Sequence, residues 1–237
     1  YPEVAINTIN NNRDYEKRAK DVVDMVQVGN ETTGGFIGET NVSNMCVLFS
    51  AGAAGVKTYN PDVKVVIHVE SPHKGTMVTW AENLQNNNVD YDILATSYYP
   101  YWHGTTENLT TVLKEIADTY NKYVMVAETA YPYTSEDGDT FGNAVSEDSD
   151  SAVFRYDISV DGQAQCLKDV FQAVANVGKK GIGVFYWEPA WLGVNGISWE
   201  EQSSLWKKYG SGWATDYAAE YDASVTGAGG SSYDNQA

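Results

Sequence analysis

Five short apolar runs with helical stretches between them predict a parallel α/β fold for this 237-residue chain. The runs at 23–29, 64–69, 91–97, 123–127 and 181–187 are rich in β-branched residues. Most are too continuously hydrophobic to have a wet face, as expected of parallel strands covered by helices. The order β-α-β-α, with every connection of crossover length, argues for one parallel sheet. Two of the runs lead into glutamates, Glu31 and Glu128. Carboxylates at the carboxyl edge of strands favour a barrel over an open sheet, because that edge is where such folds do chemistry.

The elements follow in order. Residues 5–20, rich in Asn and charge, read as a helix leading into the first strand. Cys46, Phe49, Ala53 and Val56 fall on one helical face after it. The strands 64–69 and 91–97 come next, then a helix carrying Leu109, Val112, Leu113, Ile116 and Tyr120, then the strand 123–127. Leu167, Val170, Phe171 and Val174 mark the last clear helix, with Gly178 as its stop before the strand 181–187. Five strands cannot close an eight-stranded barrel, whose usual length is about 250 residues. Either the sheet is open, or three leading βα units are missing and the chain begins inside a repeat.

Composition narrows the partners. The hydrophobic fraction of 43% supports a real core, and 17 Tyr with 7 Trp suit sugar recognition, since flat rings pack on pyranose faces. A net charge of −17, from 32 acids against 15 bases, would repel phosphate backbones, so nucleic acid is not expected as a partner. No run of about 18 apolar residues is present, so no membrane-spanning helix is expected. The first residue is Tyr1 rather than Met, which suggests a processed or truncated amino terminus. Cys46 and Cys166 are expected to be buried thiols rather than a disulfide.

One connection, 129–161, is too long to be a plain turn, and loops of this length inside compact domains are functional or disordered. Its centre carries Asp137, Asp139 and Asn143, which put oxygen donors on one side of a turn. That is how hard cations are held, and equally how a solvated acidic loop looks. The tail 223–237 is rich in Gly and Ser.

The two strand-end glutamates are the minimum equipment for splitting a glycosidic bond, one as acid/base and one as nucleophile or base. His68 ends the second strand, and Tyr98 and Trp102 follow the third, so all three should rim the same mouth. An orienting role beside Glu31 or Glu128, or contact with a sugar hydroxyl, is expected for His68.

Four segments carry a specific resemblance. Val28-Gly29-Asn30-Glu31-Thr32, Ser97-Tyr98-Tyr99-Pro100-Tyr101-Trp102-His103-Gly104, Val126-Ala127-Glu128-Thr129-Ala130-Tyr131 and Gly183-Val184-Phe185-Tyr186-Trp187-Glu188-Pro189-Ala190-Trp191 resemble the endo-β-1,4-galactanases of glycoside hydrolase family 53. The resemblance implies a (β/α)8 TIM barrel of which this chain supplies about the last five βα units, forming a single partial catalytic domain over 1–237. It implies retaining hydrolysis of β-1,4-galactan, with Glu31 as acid/base and Glu128 as nucleophile. It further implies that Asn30 bonds the sugar 2-hydroxyl and that Ser97, Tyr98, Trp102, Trp187 and Trp191 contact substrate. A calcium ion held by Asp137, Asp139, Asn143, Ser231 and Asp234 is implied too, joining the long loop 129–161 to the tail 223–237. Phe141 departs from the pattern, standing where relatives place His. A secreted, monomeric enzyme is expected. Mannanases and xylanases share the paired glutamates but not the neighbourhoods 97–104 and 186–191.

Overall fold

The computed structural model describes residues 23–138, 142–146, 149, 154–189, 197–209 and 233–237. The helix expected over 5–20 lies outside them, as do Asp139, Phe141, Trp191 and Ser231. The chain divides into two compact units, residues 1–129 with 169–185 and residues 130–168 with 186–237.

The first unit is built on a sheet of five strands in sequential order, β1 (Met25–Gln27), β2 (Lys64–Glu70), β3 (Ile93–Ser97), β4 (Tyr123–Thr129) and β5 (Gly181–Tyr186). β1 to β4 pair in parallel, and all five strands coincide with the predicted apolar runs. Sequential order with crossover helices is the topology of consecutive βα units in a barrel. The connections carry α1 (Val42–Tyr59), a 3₁₀ turn (His73–Gly75), α2 (Thr76–Asn86), α3 (Thr106–Tyr120) and α4 (Val160–Ala175).

Capping residues fix where the helices start. The Asn41 side chain accepts from the Asn44 amide at the head of α1, and Thr105 does the same for Asn108 at α3. The Ser159 hydroxyl accepts from the Gly162 amide at α4. Chain reversal after α3 needs Asn121 in the left-handed region at φ 58°.

The two sheet faces differ. Val65, Ile67, Val69, Leu94, Val124 and Val126 are almost fully buried and alternate with a second set, Val66, Ile93, Ala95 and Met125, against which Met25 and Ala127 pack. Period-two alternation places His68, Glu70 and Ser97 on this second face, at its carboxyl end. At the amino end, Lys57 and Asp92 pair at 2.8 Å, and Asp92 also accepts from the Val65 amide.

α2 carries no expectation from the sequence reading, yet Met77, Trp80, Ala81 and Leu84 form a buried i, i+3, i+4, i+7 stripe. One expected core residue is corrected. Phe171 is 52% exposed, because α4 buries the smaller Cys166 and Ala173 with Val170 and Val174. Cys46 and Cys166 are buried and form no disulfide, as expected.

The second unit holds the end of the chain against the loop after β4. The Asn235 side-chain amide donates to the Thr134 and Val145 carbonyls at 3.0 and 2.8 Å, and the Asn235 carbonyl accepts from the Tyr133 amide. Gln163 bonds the carbonyls of Tyr131 and Gln236. Tyr131 donates its hydroxyl to the Tyr156 carbonyl. Burial raises the Tyr131 and Tyr186 hydroxyls to about 12, so both stay protonated donors. This unit also contains α5 (Trp199–Tyr209), started by a capping box in which Ser198 and Glu201 bond each other's amides. No helix among the described residues is long and apolar enough to cross a membrane.

Candidate active site

Two irregularities in the sheet bring the glutamates together. Along β1, the Val28 amide donates to the Val66 carbonyl, and the next bond to β2 runs from Thr32 to the His68 carbonyl. The donors are four residues apart and the acceptors two, so Gly29, Asn30 and Glu31 are thrown out of the ladder. Gly29 makes this possible at φ +87°, where an added Cβ would stand 2.6 Å from Thr32 Cγ2 and 2.8 Å from Phe36 Cε2. Glu31 itself holds φ +47°, a strained conformation of the kind that gathers at functional sites. The bulge is pinned by the Thr32 hydroxyl on the His68 carbonyl and by the Glu70 amide on the Thr33 hydroxyl.

A second bulge lies in β4. Thr96 pairs with Val126 but Ser97 pairs with Glu128, skipping Ala127. Without it Glu128 would point to the helix side of the sheet; with it Glu128 shares the face of Ser97.

Glu31, His68, Ser97 and Glu128 therefore meet at the carboxyl end of β1 to β4. One carboxylate oxygen from each glutamate and a His68 ring nitrogen all lie within 4.8 Å of one another. Ser97 Oγ is 2.6 Å from Glu31 Oε1 and 2.9 Å from His68 Nε2, and His68 Nδ1 accepts from the Glu31 amide at 3.4 Å. Both ring nitrogens are thus engaged, which leaves none to ligate a metal between the glutamates. Burial lowers the His68 imidazole to about 4, so it is neutral at ordinary pH. The Tyr99 hydroxyl donates to Glu128 Oε2 at 3.1 Å. Glu70, opposite Ser97, has its carboxyl raised by burial first and by the charge of Glu31 second.

Aromatic rings border this group. Trp102 is 48% exposed and meets Tyr99 and Tyr101 edge-on at centroid distances of 5.5 and 4.8 Å. Asn30 is exposed, its Oδ1 accepting from the Gln27 side chain. Three expected sugar contacts are corrected, the first being Ser97, which is fully buried with its hydroxyl on Glu31. Tyr98 is fully buried with its hydroxyl on the Gly104 carbonyl, so it fastens the loop after β3 and offers a sugar no surface. His68 is fully buried as well, which leaves the orienting role. Tyr99 and Glu70 were missed. A second aromatic next to a strand-end Ser97 was the available signal for Tyr99, but period two cannot choose between neighbours once a bulge intervenes.

Trp187 directly follows β5 in the second unit and is 37% exposed, while Trp191 lies outside the described residues. In the same unit, the Asp137 carboxylate accepts from the Gly142 amide, and buried Asp234 accepts from the Gly138 amide at 2.7 Å. Asn143 Oδ1 is buried with no hydrogen-bond partner among the described residues. A buried carboxylate and an orphaned amide oxygen fit a hard cation.

Fold and site together define a class, consecutive units of a (β/α)8 barrel with paired glutamates at the carboxyl edge of the strands. The comparisons specify it further: the model of glycosyl hydrolase family 53 matches residues 11–237, and the chain belongs to that family. It is 53% identical over 228 residues to the endo-β-1,4-galactanase of Bacillus subtilis (strain 168), covering 94% of this chain and 53% of that protein. It is 33% identical to the arabinogalactan endo-β-1,4-galactanase of Cellvibrio japonicus (strain Ueda107), covering 84% of this chain and 53% of the relative. Among solved structures, the Ignisphaera aggregans GH53 catalytic domain superposes with a TM-score of 0.78 at 28% identity, covering 99% of this chain and 59% of that one. The chain spans about half the length of the curated relatives it matches, and its strands form part of a (β/α)8 barrel.

Proposed function

We propose that this chain carries the catalytic centre of an endo-acting glycosidase that hydrolyses β-1,4-galactan with retention. Family membership and the names of its relatives support the substrate. One observation carries the mechanism: a carboxylate oxygen of Glu31 lies within 4.8 Å of one of Glu128. Retaining enzymes hold their carboxyl groups roughly 5–5.5 Å apart, whereas inverting ones need about 6.5–9.5 Å to admit a water.

In the first step Glu31 gives its proton to the glycosidic oxygen, the bond from that oxygen to the anomeric carbon breaks, and Glu128 bonds the carbon from the opposite face. In the second, Glu31 takes a proton from water, whose oxygen displaces Glu128 and returns the β configuration. Tyr99 keeps the Glu128 carboxylate oriented through its 3.1 Å bond. Trp102 offers an exposed ring to a sugar face, Asn30 an exposed amide to the 2-hydroxyl, and Trp187 a further ring.

A calcium ion would be held by Asp137, Asn143 and Asp234 with Asp139 and Ser231. Its contribution is charge that fastens the loop after β4 to the end of the chain, away from the bond-making steps. Secretion and action as a monomer complete the reading.

The test is a pair of substitutions in the intact enzyme. Glu128→Ala abolishes turnover, with azide restoring it and giving an α-configured galactosyl azide. Glu31→Ala keeps slow cleavage of aryl galactosides whose leaving group needs no proton. Near-normal galactan hydrolysis by either variant contradicts the assignment.

A further inference from the structure

Ser97 lies between two groups that fix the direction of its hydroxyl. It is fully buried, as is His68, and its Oγ is 2.9 Å from His68 Nε2 and 2.6 Å from Glu31 Oε1. The ring's other nitrogen, Nδ1, faces the Glu31 amide at 3.4 Å, and an amide N–H only donates. Nδ1 must therefore be the bare nitrogen and Nε2 must carry the ring proton. That proton goes to Ser97 Oγ, so the single hydroxyl hydrogen of Ser97 is left for Glu31 Oε1. The reverse arrangement, with Glu31 donating from Oε1 to Ser97, would send the serine proton to Nε2 and place a proton on Nδ1 against the Glu31 amide. A doubly protonated ring meets the same clash, in keeping with an imidazole held neutral by burial.

Building on the acid/base reading of Glu31, we propose that Ser97 is a positioning residue. It reserves Oε1 as a hydrogen-bond acceptor in both catalytic states, so the proton delivered to the glycosidic oxygen is carried by Oε2. Oε2 has no hydrogen bond among the described residues, which leaves it open to substrate. The relay runs one way, from His68 Nε2–H to Ser97 Oγ and from Ser97 Oγ–H to Glu31 Oε1, and it is anchored in the backbone of the residue it orients. Its purpose is rotational: a carboxyl group with two equivalent oxygens spends part of its time with the proton facing the serine, and the relay removes that population. The other titratable groups facing Glu31 are Glu70 on β2 and Glu128 on β4, the latter held by Tyr99.

The experiment is Ser97→Ala in the intact enzyme, followed by the pH dependence of kcat/KM on galactan and on an aryl galactoside with a good leaving group. Removing a hydrogen-bond donor to the carboxylate moves the alkaline limb of the profile upward. On galactan kcat falls by about tenfold or more with KM nearly unchanged, because the interaction serves proton delivery rather than binding. On the aryl substrate the first step is spared. Ser97→Cys, a weaker donor of similar size, must place the limb between wild type and Ser97→Ala, and it replaces the alanine variant if that one does not fold. An unmoved limb in both variants, with Glu31→Ala inactive on galactan, overturns this inference and leaves the acid/base assignment standing. Full galactan activity of Glu31→Ala overturns the assignment itself.

Discussion

Replacing Gly29 by alanine separates a backbone requirement from a packing one. Gly29 sits at φ +87°, two residues before Glu31, and opens the bulge that lifts that carboxylate out of the ladder. For an L-residue the left-handed conformation costs about 1–2 kcal/mol. The new methyl would also lie 2.6 Å from Thr32 Cγ2 and 2.8 Å from Phe36 Cε2, closer than real contacts allow. Thr32 is bonded twice to the His68 carbonyl, and Phe36 stacks on buried Phe49 at 4.7 Å, so neither yields freely. Overpacking of this kind costs about 1–3 kcal/mol, giving a total of about 2–5 kcal/mol. Gly38 is the matched control, with φ +76° and nothing within 4 Å of its added Cβ, so its alanine variant carries only the conformational part. Urea unfolding of the intact protein measures both. Because relief of the clash moves the bulge, Gly29→Ala should also lose activity on the order of a hundredfold well below its unfolding range, while Gly38→Ala keeps it. Equal stability loss and equal activity in the two variants would refute the argument that this glycine shapes the site.

Two further expectations concern pH and metal. His68 is lowered from 6.5 to about 4 by burial, so between those values the unfolded chain binds a proton that the folded chain does not. Its contribution is present in full above about pH 6.5 and is lost as pH falls towards 4, amounting to about 3 kcal/mol. Thermal melts across that range should show the decline, and a variant with Gln at position 68 should flatten it; parallel curves would remove His68 as the cause. Calcium at a hundredfold excess over its dissociation constant should stabilise the fold by about 2.7 kcal/mol, and Asp137→Ala should remove that gain while leaving turnover intact. Equal melting temperatures with calcium and with chelator would show only an acidic loop.

The strands were legible because β2, β3 and β4 are buried on both faces, and a run such as Val65-Val66-Ile67 has no other use. Glu31 and Glu128 were legible as strand-end carboxylates, but the two bulges that make them neighbours were not. Bulges are set by pairing across strands, and only Gly29 announced one of them locally. α2 escaped notice because its buried stripe of Met77, Trp80, Ala81 and Leu84 has a single strong aliphatic residue and lies between Gly75 and an Asn-rich end. Phe171 misled for the opposite reason: periodicity favours the largest apolar side chain, and α4 turns Cys166 and Ala173 inward instead. Composition showed only that the tail is rich in Gly and Ser, whereas Asp234 and Asn235 are buried with bonds to residues nearly a hundred positions earlier.

The retaining role of the Glu31 and Glu128 pair is tested most directly by the anomeric form of the product at the instant it is released. Proton NMR of galactan digestion by the intact enzyme, recorded before mutarotation, should show the β-anomer of the new reducing end appearing first, with the α-anomer following at the rate of spontaneous mutarotation. An α-anomer that appears first would mean direct attack by water, the outcome of carboxyl groups held about 6.5–9.5 Å apart, and would contradict the account.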